Sequence, residues 1–250
     1  MLLIQIVMNP PDFTLDKIKF ATDGPTFEKA VVLYESGKVT NVDDNGFTYT
    51  AKVLSTQSYD VFVSHRHYNE GHCSCYLGQN DTLCKHMVAL ALYVVKNGQP
   101  LTEEDKKLIH TPACSGNVGK LNDKELAAAK KSITTALRYV KPYNGPSRTW
   151  FAYQDSLSEG CNRLSAIVSK LPVSEQTASL LVDVLLRLDK KLCTGGVDDS
   201  DGTVGGFIEA VVGVLHEFAK LDLRCIHAFN ALKNRETSFG WEKPLLKMID

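Results

Sequence analysis

The chain contains no apolar run approaching the roughly 20 residues that cross a bilayer, so no membrane-spanning helix is expected. It also lacks an excess of either charge. Its 28 Lys and Arg stand against 29 Asp and Glu, a formal net charge of −1. A dedicated duplex binder carries a basic face and a high pI, so any nucleic-acid affinity should be weak when the chain acts alone. Residues 1–100 hold eight Lys/Arg against ten Asp/Glu, and residues 143–250 hold 12 against 14. Only residues 101–142 are basic, with eight against five. Lys120, Lys124, Lys130, Lys131, Arg138 and Lys141 make up that cluster, and its plain reading is the solvated face of a helix. A Gly-rich phosphate loop, a nucleophile elbow and paired carboxylates are all missing from the contexts they need. No enzymatic activity is therefore expected. No fixed-period repeat is present, which argues against a regular solenoid. The start, Met1 to Met8, is apolar but short. It lacks a basic n-region and runs into Asn9-Pro10-Pro11, so no secretory signal is read there. It reads as an edge strand or a free end, with Met8 an alternative start. The expected compartment is the cytoplasm, or the nucleus in a eukaryote.

What the chain does have is a dense group of soft ligands. Cys73-Ser74-Cys75, an eight-residue gap and Cys84-Lys85-His86 form C-x-C-x8-C-x-H within 14 residues. A Cys3His set suits a closed, four-coordinate structural zinc site. Three core cysteines and a surface histidine would be the bland alternative, but two paired ligand motifs are hard to explain by packing. Val61, Val63, His65 and His67 alternate with Asp60, Phe62, Ser64 and Arg66, as in a strand entering the site. In a strand, residues two apart share a face, so Cys73 and Cys75 can point at one ion. Gly78-Gln79-Asn80-Asp81 has a turn composition. A helix is expected from about Lys85 to Asn97, with Cys84 just outside its first turn, where the helix dipole favours thiolate. A site with four protein ligands has no open position for a reactive water, so hydrolytic zinc chemistry is not expected. Of the seven cysteines, Cys114, Cys161, Cys193 and Cys225 remain, and they read as buried free thiols in a reducing compartment.

The ligand pattern, running into Met87-Val88-Ala89-Leu90, resembles the SWIM zinc finger. The resemblance extends upstream through Phe27-Glu28-Lys29-Ala30 and Leu33-Tyr34-Glu35-Ser36-Gly37-Lys38-Val39. It continues in Ala51-Lys52-Val53-Leu54-Ser55 and Tyr59-Asp60-Val61, so that it covers roughly residues 25–97. One departure is Tyr76, where many members of the family place a proline after the second Cys. The resemblance implies a zinc-organised ββα module with Cys73, Cys75, Cys84 and His86 as ligands of one structural Zn²⁺. It also implies contact with DNA or with a DNA-associated protein such as a helicase-like ATPase.

The expected organisation is an α+β domain at 1–110, with the finger core at about 60–97, followed by an all-α helical bundle at 111–250. In the first part, Phe47 to Val53 and Tyr59 to His67 are strand-like, and Asp43-Asp44-Asn45-Gly46 is a hairpin-type turn. Gly98-Gln99-Pro100 stops the metal helix, and Thr102-Glu103-Glu104-Asp105 caps a short one. In the second part, Asn122 with Glu125 forms a capping box, and Leu121 with Leu126 a hydrophobic staple. Further helices are expected to end at Pro172, to start at Ser174, and to cover Thr203–Leu221 and Asp222–Leu232.

Three other constellations carry weaker signals. Asp198 to Glu209 is 12 residues long, like a calcium loop, but Thr203 stands where that loop needs Gly. An acidic surface loop is the simpler reading. His65, His67 and His72 are a conceivable second metal set, and more simply strand-surface histidines. Trp150-Phe151-Ala152-Tyr153 and Phe239-Gly240-Trp241 are stacking platforms for bases on one reading and packing residues on the other. The functional expectation is a zinc-binding interaction protein with a protein partner, contacting DNA or a DNA-associated protein. The alternatives are a pure protein adaptor and, below it, an enzyme of unrecognised type.

Overall fold

Thr14 and Asp23 each turn a side-chain oxygen onto a backbone N–H three residues ahead, and each starts a helix. These are α1 (Leu15–Ala21) and α2 (Gly24–Glu35), the second with Pro25 in its first turn, where a missing N–H costs nothing. The computed structural model describes residues 9–249, so the expectation for Met1 to Met8 lies outside the described residues. Gly37, at φ 63°, turns the chain out of α2. Four strands follow: β1 (Val39–Asp44), β2 (Thr48–Leu54), β3 (Ser58–Ser64) and β4 (Gly71–Cys73). They form one antiparallel sheet in the order β1-β2-β3-β4.

Period-2 alternation gives this sheet two unlike faces. Tyr49, Ala51 and Val53 of β2 and Val61 and Val63 of β3 are buried. They pack with α4 (Lys85–Lys96), whose Met87 to Leu92 are all buried. Thr50, Lys52, Asp60 and Phe62 point to the other face. The strand expected to run to His67 ends at Ser64, where the backbone turns back toward β4: the Ser64 N–H donates to the Glu70 carbonyl and the Glu70 N–H to the His67 carbonyl, and the His65 side chain is engaged separately. Its Nε2 lies 2.7 Å from Asp44 Oδ1, and its ring stacks on Tyr49 at 3.9 Å. Asp44 also accepts the N–H groups of Asn9 and Gly46. The hairpin tip is thereby fixed to β2. α3 (Tyr76–Gln79) and α5 (Glu103–Lys106) are single turns, and α5 carries the Thr102–Asp105 capping box. Asn97 and Gly98, at φ 49° and 73°, close α4.

The chain divides into two compact units, the first ending at Leu108 and the second starting at Ile109. The second unit is helical: α6 (Asp123–Ala136), α7 (Trp150–Val168), α8 (Glu175–Cys193), α9 (Thr203–Leu221) and α10 (Lys243–Leu246). The Asn122–Glu125 capping box is present at α6. Leu157, Leu164, Leu181, Val184, Leu185, Ile208, Val211 and Leu215 line one shared apolar core. Leu223–Leu232, expected as an α-helix, is a 3₁₀ helix instead. Its buried residues fall in pairs three apart, Cys225 with Ala228 and Phe229 with Leu232, which matches three residues per turn. Asp189 of α8 accepts hydrogen bonds from the Ser238 N–H, the Ser238 hydroxyl and Trp241 Nε1, at 2.7–3.0 Å. Trp241 is thus a buried anchor and not a base-stacking platform.

Candidate metal centre

β4 runs beside β3 and delivers Cys73 opposite Val61. Past Cys73 the strand does not continue. Ser74 stays pinned to β3 by two bonds: its N–H donates to the Asp60 carbonyl, and its hydroxyl accepts the Asp60 N–H, both at 3.0 Å. The chain then turns into α3 with Cys75 as its N-cap. The expected strand pairing of Cys73 and Cys75 is therefore replaced by a knuckle. Within it the Cys75 N–H donates to Cys73 Sγ and the Gly78 N–H to Cys75 Sγ, each at 3.4 Å. Backbone N–H groups aimed at sulfur favour the thiolate that a metal requires. Gly78 is a steric necessity here. A Cβ at that position would lie 2.3 Å from the Cys73 carbonyl oxygen and 2.5 Å from Cys73 Cβ.

The second pair comes from α4. Cys84 is the N-cap, with extended backbone at φ −126° and ψ 162°, and His86 sits in the first turn. That placement solves the problem of residues two apart on a helix, which would otherwise diverge by about 200°. Cys73, Cys75, Cys84 and His86 are all buried, and their ligand atoms lie within 4.8 Å of one another. Nδ1 of His86 is 3.6 Å from Cys73 Sγ and 3.8 Å from Cys84 Sγ. Tetrahedral bonds of about 2.3 Å to sulfur and 2.1 Å to nitrogen require ligand–ligand edges of roughly 3.5–3.8 Å. The His86 contacts already have that length, and they identify Nδ1 as the atom facing the centre. The four residues can hold one metal ion.

The electrostatics run the same way. The Cys73 thiol is driven up, first by its hydrogen bond to Cys84 and then by burial. The same hydrogen bond is the main cause that drives Cys84 down to about 4. The His86 ring and the Met87 N–H at the start of α4 add to it against the opposing effect of burial. The His86 ring has two further features. Tyr59 of β3 stacks on it with centroids 4.4 Å apart and ring planes 28° apart. Its Nε2 is buried and has no hydrogen-bond partner among the described residues.

The remaining candidates are dispersed. His65 pairs with Asp44, His72 packs its ring near Phe62 at 6.1 Å and His67 is exposed, and the three upstream histidines do not group as a metal set. The acidic loop is engaged in capping: Asp199 accepts the N–H groups of Val204 and Gly205 at the start of α9, and Asp198 accepts Trp150 Nε1. Cys161 and Cys225 are buried free thiols, whereas Cys193, at the last turn of α8, is exposed. The six basic residues Lys120, Lys124, Lys130, Lys131, Arg138 and Lys141 are all exposed. No described helix is long and apolar enough to cross a membrane. Tyr59, Ser74 and Gly78 are the parts of the centre that sequence reasoning missed. The period-2 register carrying Tyr59 beside Val61 was the one available signal for any of them. No protein-family model, no curated protein and no solved structure matches the chain.

Proposed function

We propose that this chain is a zinc-organised interaction protein, with a SWIM-type finger built on Cys73, Cys75, Cys84 and His86, followed in sequence by a helical bundle. The observation that carries the reading is the convergence of four buried ligand atoms within 4.8 Å, three sulfurs and one imidazole nitrogen. That donor set matches structural zinc, a closed site that stabilises fold and supplies no reactive water. The zinc would join β4, α3 and α4 into one surface that presents Tyr76 and Leu77, both exposed beside Cys75. By the resemblance, that surface contacts DNA or a DNA-associated protein such as a helicase-like ATPase. Metal analysis of the purified chain should return one zinc per chain, lost in Cys84→Ser. A stoichiometry near zero, or one unchanged by that substitution, overturns the reading.

A second reading, a protein adaptor without nucleic-acid contact, is favoured by the charge balance of residues 1–100. Phosphate-driven binding weakens steeply with salt, and apolar docking does not. Anisotropy of a labelled DNA duplex titrated with the protein at about 50 mM salt, where phosphate contacts are strong, separates the two. Absence of binding there leaves the adaptor.

A further inference from the structure

We propose that Tyr59 is a positioning residue for the metal. Its ring face, in place of a hydrogen bond, sets the orientation of the His86 imidazole. This inference rests on the metal reading above.

A metal-bound histidine ordinarily donates its second ring N–H to a carboxylate or a carbonyl, and that bond fixes both tautomer and ring angle. His86 is arranged differently. Nδ1 faces the sulfurs of Cys73 and Cys84, so metal binding leaves the proton on Nε2. Nε2 is buried, and no acceptor reaches it among the described residues. With that bond missing, the ring could rotate about its χ2 torsion, which is intrinsically broad for histidine. Tyr59 blocks the rotation by stacking on one face at 4.4 Å. The tyrosine is itself fixed at both ends. Its backbone pairs with Val53 in the β2–β3 ladder, and its hydroxyl shares a 2.9 Å hydrogen bond with Thr56 Oγ1. The next residue, Asp60, is the one that pins Ser74 between two ligand cysteines. One stretch of β3 therefore controls both halves of the site: Asp60 holds the knuckle by its backbone, and Tyr59 holds the imidazole by its ring.

The test is metal affinity in full-length protein, measured by competition with a chromogenic zinc chelator. The visible ligand-field spectrum of the Co²⁺-substituted chain is recorded alongside. Tyr59→Leu keeps bulk and apolarity but removes the ring face. It is expected to weaken zinc binding about 10- to 100-fold, the usual effect of losing an outer-shell partner. Its Co²⁺ spectrum should shift away from that of a three-sulfur, one-nitrogen site as the imidazole loosens. Tyr59→Phe keeps the ring and should retain wild-type affinity and spectrum. In a His86→Ala background, Tyr59→Leu should cost nothing more, because its route of action is gone. Wild-type affinity and spectrum in Tyr59→Leu overturn the proposal and leave the metal reading standing. So does an equal loss in Tyr59→Phe, which would assign the effect to the Thr56 bond. If Tyr59→Leu fails to fold, Tyr59→Ile and Tyr59→Val, which also remove the ring face and suit a strand, are judged by the same affinity and spectral criteria. A wild-type chain that takes up neither zinc nor Co²⁺ overturns the metal reading and this proposal together.

Discussion

Gly78 shows how a residue with no side chain can be indispensable to a ligand set. Its N–H points at Cys75 Sγ, and its Cα faces the Cys73 backbone closely enough that a methyl group would overlap it. Gly78→Ala should destabilise the first unit by about 1–3 kcal/mol, the usual cost of overpacking, and should lower zinc retention as well. Urea unfolding of the zinc-loaded protein measures the first effect and chelator competition the second. An unchanged midpoint would mean that the knuckle is loose enough to give way. Asp44 illustrates a different kind of dependence. Burial alone would raise its carboxyl, but the N–H groups of Gly46 and Asn9, and the hydrogen bond and charge of His65, outweigh it and hold the carboxyl below its ordinary 3.8. A depressed folded value means the carboxylate contributes stability above about pH 4. That contribution is lost as the pH falls through the folded value. Asp44→Asn should accordingly flatten the acid-side decline of the first unit, read from its unfolding midpoint between about pH 5 and pH 2.

At the level of elements, legibility followed local chemistry. α4 was readable because Met87, Ala91 and Val94 recur at helical spacing and Gly98 closes it, and α6 because Asn122 and Glu125 cap each other. The ligands were readable because their types and spacing leave few packing explanations. β1 was not read as a strand. Only Val39 of its six residues is buried, and a register break between Thr40 and Asp43 interrupts any alternation. Its existence depends on pairing with β2, which no local pattern encodes. α1 and α2 were also overlooked, although Thr14 and Asp23 carry ordinary N-cap signals and Pro25 an N-terminal one. The gap between the ligand pairs was read as a turn. It is a turn only from Asn80 onward, because Cys75 caps a short helix before it. The Tyr59–His86 stack joins residues 27 apart in sequence and depends on the register of β3 against α4. That information exists only once the sheet has formed.

For the molecule as a whole, the buried apolar residues form two clusters, and the candidate ligands belong to one of them. Cys73, Cys75 and Cys84 lie within the core of the first unit, whereas that of the second is built from Ile133 through Leu245 without any ligand. Chelation should therefore lower the stability of residues up to 108 and leave most helical circular dichroism intact, since metal binding and folding are coupled only where the ligands are. A single cooperative loss of all structure on chelation would show that the units melt together. Charge makes a further prediction for the molecule. Reversing Lys130 and Lys131, both exposed on α6, should lower DNA affinity for all sequences alike and flatten its salt dependence. Unaltered binding would assign the cluster to solvation alone. The knuckle has one more consequence, which concerns the sheet's outer margin. β4 is only three residues long, and beyond it Ser74 occupies the hydrogen-bonding positions of Asp60 on β3. An uncovered strand margin recruits strands from other chains. An ion held by the four ligands would therefore also guard against self-assembly, and metal-starved protein should grow into β-rich aggregates whose growth stops when zinc is restored.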